Sequence, residues 1–220
     1  MLRLLYAGRF VECKHPEFAL ALADRLRERG VRFRLDMVGG GEMDAALREE
    51  AARLRFSEEQ VSFRGYLPPD EVRTYMERAH IFLFPSNHLE GWGAVVNEAM
   101  NSGCAVIAGT ESGAAPYLIR QGENGVLFER ESRRDFLDKA DWLIGDPARI
   151  RACGQQAQRT IEELWNAERA ARELLRFTRY VLRSRQAGIR PTADGWDPPA
   201  EGPMSLAPVQ RPFVKAGKLP

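Results

Sequence analysis

Short apolar runs alternate with longer amphipathic stretches from the start of the chain. Arg3–Ala7 reads as a strand. Glu17–Arg29, with Phe18, Leu22 and Leu26 at spacing four, reads as a helix stopped by Gly30. Arg32–Val38 is a second strand running into Gly39-Gly40-Gly41, followed by a helix over Met43–Leu54. Val61–Arg64 is a third strand, and Pro68-Pro69-Asp70 opens a helix carrying Val72, Tyr75 and Met76. Ile81–Phe84, Ala105–Ala108 and Val126–Phe128 complete the strands, with helices over Ala94–Asn101 and near Pro116–Arg120. Such alternation implies crossover units: an α/β, Rossmann-like, doubly wound and mostly parallel sheet of about six strands with helices on both faces. The strands read as near-continuous apolar runs, as a sheet covered on both faces requires.

Beyond Glu131 only helices follow: Phe136–Ile144, Arg149–Glu163 and roughly Asn166–Arg185, the last with Leu174, Phe177 and Val181 as an apolar stripe. From Gln186 on, seven of the chain's 13 prolines crowd together without periodicity. Residues 1–185 are therefore expected to form one Rossmann-like α/β domain, and 186–220 a disordered Pro/Gly-rich tail.

Composition narrows the chemistry. Lys+Arg 32 against Asp+Glu 31 gives +1, which argues against a nucleic-acid binder. Cys13, Cys104 and Cys153 are far apart and odd in number, so neither a disulfide framework nor a cysteine-rich zinc module is expected. Three histidines without HExxH give no histidine-based metal site, and no metal is assigned. No apolar run approaches the roughly 20 residues of a membrane span, and no targeting signal is visible. A soluble, cytoplasmic chain is the expectation.

The informative segment runs from Pro85 to Met100. A strand ends at Phe84, a loop carries Glu90, then Gly91-Trp92-Gly93, and a helix begins. The first backbone N–H groups of that helix, on Ala94 and Val95, favour an anion. Gly91 and Gly93 allow close approach of a ligand. Glu98 lies about one turn further on. Carboxylates bracketing an anion site suit phosphates flanked by hydroxyl-rich groups, because carboxylates only accept hydrogen bonds and sugars supply O–H donors. An ordinary helix start with two solvated glutamates has the same spacing. Gly8-Arg9 and Lys14 follow the first strand and can face the same crevice, where two cations would neutralise a diphosphate. The glycine triplet at 39–41 leaves another strand end but is not GxGxxG.

Taken in order, Gly8-Arg9…Lys14, Val38-Gly39-Gly40-Gly41, Val61–Leu67, Phe84-Pro85-Ser86 and Glu90-Gly91-Trp92-Gly93…Glu98-Ala99-Met100 resemble the C-terminal, donor-binding half of family 4 glycosyltransferases, retaining enzymes of the two-domain B-type fold. The Glu, seven residues, Glu pattern is the most specific part. The resemblance implies that Glu90 bonds hydroxyls of the transferred hexose and that Glu98 takes the ribose. It implies that Arg9 and Lys14 hold the diphosphate and stabilise the leaving group, with Glu90, Arg9 and Lys14 the catalytic set. Gly8, Gly39, Gly40, Gly91, Trp92 and Gly93 would lie against the donor, with the N–H groups of Ala94 and Val95 at the phosphates. The Arg64-Gly65-Tyr66-Leu67 loop would receive the base. The family needs no cofactor or metal, and no Asp-x-Asp occurs here. Trp92 stands where the family usually has Phe, Ala105 replaces a common proline, and Ala114 and Tyr117 alter a Gly-Gly…Glu pattern. None removes a phosphate ligand.

The resemblance also implies a missing N-terminal acceptor domain or partner chain, so the chain reads as a fragment, an excised domain or half of a split enzyme. A catalytically silent nucleotide-sugar-binding module is the alternative, and an epimerase of the same fold a third. His88 reads as shaping the loop, Cys104 as a small core residue, and Trp142 and Trp165 as core. Arg169, Arg172, Arg176, Arg179 and Arg183 form one stripe on the last helix. That stripe reads as a solvated face or one packed on the missing domain, with peripheral contact to an anionic membrane as the functional alternative.

Overall fold

The six apolar runs become six strands: β1 Leu2–Ala7, β2 Phe33–Val38, β3 Val61–Gly65, β4 Ile81–Phe84, β5 Ala105–Gly109 and β6 Gly125–Phe128. A computed structural model describes residues 1–129, 131–188, 196–199 and 202–203. The strands pair in parallel in the order β3-β2-β1-β4-β5-β6. Helices α1 Glu17–Glu28, α2 Asp44–Arg53, α3 Pro69–Arg78, α4 Ala94–Asn101 and α5 Ala115–Leu118 alternate with them. Helices α6 Arg133–Ile144, α7 Pro147–Glu163 and α8 Ala167–Gln186 follow. The alternation is local information, and the structure reproduces it within a few residues at each end.

Each face of the sheet has its own core. Leu4, Tyr6, Leu35, Ile107 and Phe128 pack under α1, α2 and α6. Leu5, Phe82, Phe84, Val106 and Leu127 pack under α3, α4 and α7. In β4, β5 and β6 every position is buried, because both faces are covered there.

Coverage fails at one end, and there the structure departs from the expected uniform burial. Strand β2 alternates: Phe33, Leu35 and Met37 point into the first core, while Arg34 and Asp36 are only half-buried. Helix α3 reaches β1, and the second face beyond it is left to Arg34, Asp36 and Arg64.

Within the last helix, Phe177 and Val181 are half-buried, but Leu174, Leu175 and Leu182 are exposed. Trp196 lies against Phe177 and Tyr180, with ring centroids 5.1 and 5.6 Å apart. Arg176 reaches Asp197 at 3.0 Å. This short stretch of the tail therefore has α8 as its partner; most of the tail lies outside the described residues. No helix among the described residues is long and apolar enough to cross a membrane.

Candidate functional site

Strand order reverses between β1 and β4, so the connections leaving their carboxyl ends diverge to opposite faces and open a crevice. A cleft of about 440 Å³ fills it, with Gly8, Arg9, Lys14, Glu90, Gly93 and Ala94 among its walls. Every residue proposed for the diphosphate is therefore at one strand end, although the two loops are far apart in sequence.

The β1 loop is held from below. Buried Tyr6 donates its hydroxyl to the carbonyl of Arg9 at 3.0 Å. Burial, first of all, pushes this phenol well above its ordinary pKa, so it stays a donor. A 3₁₀ turn at Glu12–Lys14 then aims Lys14 across the cleft. Its ammonium forms an ion pair with the Glu90 carboxylate. Their side chains are only 18% and 15% exposed, so either charge left alone there would be poorly solvated. Arg9 stands exposed at the lip and has no ion-pair partner among the described residues.

The β4 side supplies the anion-binding end of α4. Gly93 caps the helix at φ 78°, where a Cβ would also meet the Phe84 ring at 2.4 Å; glycine is required twice over. The N–H groups of Ala94 and Val95 have no intrahelical acceptor and open on the cleft. Glu98 is exposed one turn on, its carboxylate without a partner among the described residues. The β5–α5 loop steadies this segment: Gly113 and Ala114 donate to the carbonyls of Glu90 and Trp92 at 3.4 and 2.7 Å.

A match to the family described as "Glycosyl transferases group 1" spans residues 2–160. The chain belongs to that family. It is 29% identical over 177 residues to a D-inositol 3-phosphate glycosyltransferase of Streptomyces bingchenggensis, covering 76% of this chain and 38% of the relative. To a putative colanic acid biosynthesis glycosyltransferase of Escherichia coli it is 27% identical, covering 79% and 44%. The group 1 chain thus spans less than half the length of these relatives. Among solved structures, the C-terminal domain of a group 1 glycosyl transferase from Francisella tularensis superposes with TM-score 0.66 at 26% identity, covering 73% of this chain and 84% of that one. Anabaena HepE, solved with UDP and glucose, shares the fold with TM-score 0.63 at 20% identity, over 73% of this chain and 44% of that one.

Other residues expected at the donor are placed differently from one another. Gly39 and Gly40 serve chain packing: Phe10 donates to the Gly40 carbonyl at 2.8 Å, and Tyr66 lies over Gly40, its hydroxyl bonding the same carbonyl at 2.9 Å. Tyr66 remains 73% exposed at the end of β3, while Leu67 packs beside the second core. The Arg64 side chain is not brought to the cleft; it turns to Asp36 at 2.8 Å, on the uncovered sheet face. Trp92 leaves the cleft as well. Its ring meets Tyr117 and Trp165 at 5.9 and 5.5 Å, and its N–H bonds Asn97. Trp165 therefore braces the loop as well as the core. Trp142 is half-buried under Arg149. Cys104 is a core residue, and burial pushes its thiol up to about 12.

Sequence reasoning passed over His15, Glu17 and Glu131. His15 Nδ1 lies 2.9 Å from Glu17 and Nε2 3.2 Å from Glu131, and His88 approaches Glu131 at 3.8 Å. With Glu111, the exposed His88 and Glu131 bring ligand-type atoms within 4.8 Å of one another. Nothing in the linear spacing signals a grouping across 116 residues. The hydrogen bond that His15 donates to the Glu17 carboxylate is the chief cause that raises the His15 pKa above 6.5. A raised pKa in the folded state stabilises the fold below 6.5, and that contribution fades as pH climbs through the folded value. The melting-temperature difference between wild type and His15→Asn, which tolerates the positive φ of 43°, should therefore shrink as the pH rises from about 6.5 through the raised His15 pKa. An unchanged difference would remove the charged pair from the account.

The arginine stripe lies along α8. Arg169 and Arg176 pair with Glu173, and Arg172 with Glu168. Arg179 and Arg183 are exposed and have no ion-pair partner among the described residues.

Proposed function

We propose that the chain is the donor-binding half of a retaining, metal-independent glycosyltransferase that uses a nucleotide-diphosphate sugar and transfers to a hydroxyl acceptor. The observation that carries this reading is the Lys14–Glu90 pair set beside the free N-terminus of α4, at the reversal of strand order.

Across the cleft the two side chains neutralise each other. A diphosphate takes over Lys14, together with Arg9 and the N–H groups of Ala94 and Val95. Glu90 is then released to accept hydrogen bonds from the sugar. Glu98 takes the ribose hydroxyls, and the β3–α3 loop at Gly65 and Tyr66 receives the base. As the sugar–phosphate bond breaks, negative charge gathers on the leaving diphosphate, where two cations and a helix N-terminus already stand. The acceptor hydroxyl forms the new bond on the same face, and its proton passes to the departing phosphate oxygen. Acceptor contacts belong to the part of the protein outside these 220 residues. The exposed Leu174, Leu175 and Leu182 of α8 are apolar surface suited to packing on it.

Calorimetric titration of the chain with UDP-, GDP- and ADP-sugars should find at least one ligand, with affinity unchanged by EDTA. Glu98→Ala should weaken it by roughly 1–3 kcal/mol, the cost of unpairing bonds to a charged group. A folded sample that binds none of them, or one that needs added Mg²⁺ or Mn²⁺, would overturn the reading.

A further inference from the structure

The uncovered face of β1, β2 and β3 carries charge where a doubly wound sheet normally carries apolar side chains. Arg3 on β1, Arg34 and Asp36 on β2, Arg64 on β3 and Arg78 at the end of α3 line one groove of about 260 Å³, with the Tyr75 ring beside Arg64. Four guanidinium groups share one carboxylate. Asp36 takes Arg64 at 2.8 Å and Arg34 at 3.3 Å.

Pairing in the sheet makes this arrangement costly. Arg3 and Arg34 are directly opposite in the parallel register of β1 and β2, on the same face, about 5 Å apart at the backbone. Like charges facing each other across strands destabilise a sheet. Arg34 and Arg64 recover part of that through Asp36, and Arg78 through the carboxyl end of α3. Arg3 recovers nothing: its side chain has no partner among the described residues, and neither does that of Arg78. The groove is therefore short of anionic charge, by about three units, in a concave site lined with planar donors.

We propose that this groove is a second anion site, separate from the donor cleft, and that it binds the phosphate group of a small phosphorylated molecule. Guanidinium forks match phosphate oxygens two at a time, which a lysine-lined surface would not do. Arg3 and Arg78 supply the unpaired donors, while Arg34 and Arg64 are pre-aimed by Asp36. Arg3, Arg34 and Arg78 stand toward the amino ends of the strands, and the groove shares no lining residue with the cleft of Lys14 and Glu90, so the two sites are separate. Occupancy relieves the Arg3–Arg34 repulsion, and binding should appear as added stability.

An NMR titration of the isotopically labelled chain with inorganic phosphate and pyrophosphate tests this. The arginine Nε signals of the groove should shift and saturate, and the melting temperature should rise with them. In the double variant Arg3→Gln/Arg78→Gln the groove affinity should fall about tenfold or more, while the variant alone melts higher than wild type at low salt. Shifts at the amides of Ala94 and Val95 report the donor cleft separately, so loss of one site is not confused with loss of the other. Absence of saturable shifts at the groove arginines, or shifts that the double substitution leaves intact, would overturn the proposal. So would binding seen only with phosphatidylglycerol vesicles and not with soluble phosphate, since that assigns the charge to a lipid surface.

Discussion

The 220-residue chain should bind a nucleotide sugar yet transfer nothing, and with the remainder of the protein supplied it should become a transferase. Rate in such a reaction comes from holding donor and acceptor together in a water-poor cleft, and on the proposed reading the Lys14–Glu90 crevice is one wall of it. In the restored enzyme Lys14→Ala should lower turnover by about 10²–10³, the effect of removing one pre-aimed charge from a developing anion. Glu90→Ala should lower it comparably but leave donor affinity unchanged or tighter, because it frees Lys14 from its competitor. Radiolabelled-sugar transfer, with donor affinity measured in parallel, separates the two effects. Efficient transfer by the 220 residues alone would sink the half-enzyme reading. Equal losses of binding and turnover in Glu90→Ala would sink the competition between phosphate and carboxylate for Lys14.

Gly39→Ala should cost roughly 3–5 kcal/mol, well above an ordinary point substitution. Gly39 sits at φ 126°, and an added Cβ would stand 1.9 Å from the carbonyl oxygen of Gly8. That oxygen belongs to backbone pinned on both sides, by Gly8 donating to Val38 at 3.0 Å and Phe10 donating to Gly40 at 2.8 Å. Neither loop can yield without the other. Gly30→Ala is the matched control: its φ is 68°, but no atom lies within 4 Å of the new Cβ, so backbone strain of about 1–2 kcal/mol is all it should show. Urea unfolding of both variants makes the comparison. Equal losses would mean that the Gly8–Gly39 approach relaxes freely. If the clash is real, Gly39→Ala should also move the Arg9–Lys14 loop and weaken donor binding in whatever fraction remains folded.

The strand–helix alternation was readable because it is local. Runs such as Ile81–Phe84 and Val126–Phe128 are too short and too apolar for anything but a buried strand between crossovers. The Glu90-Gly91-Trp92-Gly93 loop declared itself for the same reason: a strand end, a carboxylate, two glycines and a helix start lie within a dozen residues.

What the linear pattern could not settle is which loops meet and where long side chains turn. Lys14 and Glu90 are 76 residues apart, and they touch because β1 and β4 became neighbours at the reversal of strand order. Arg64 sits in a motif that suggested the donor, yet Asp36, one strand over, captures it on the uncovered part of the sheet, away from the cleft. Trp92 is likewise drawn off by Tyr117 and Trp165. Strand and helix periods are written in each segment by its own alternation of apolar and polar residues. Lateral order in the sheet is not, because it depends on how several crossovers share two faces, and it alone placed the charges of this site and of the arginine groove.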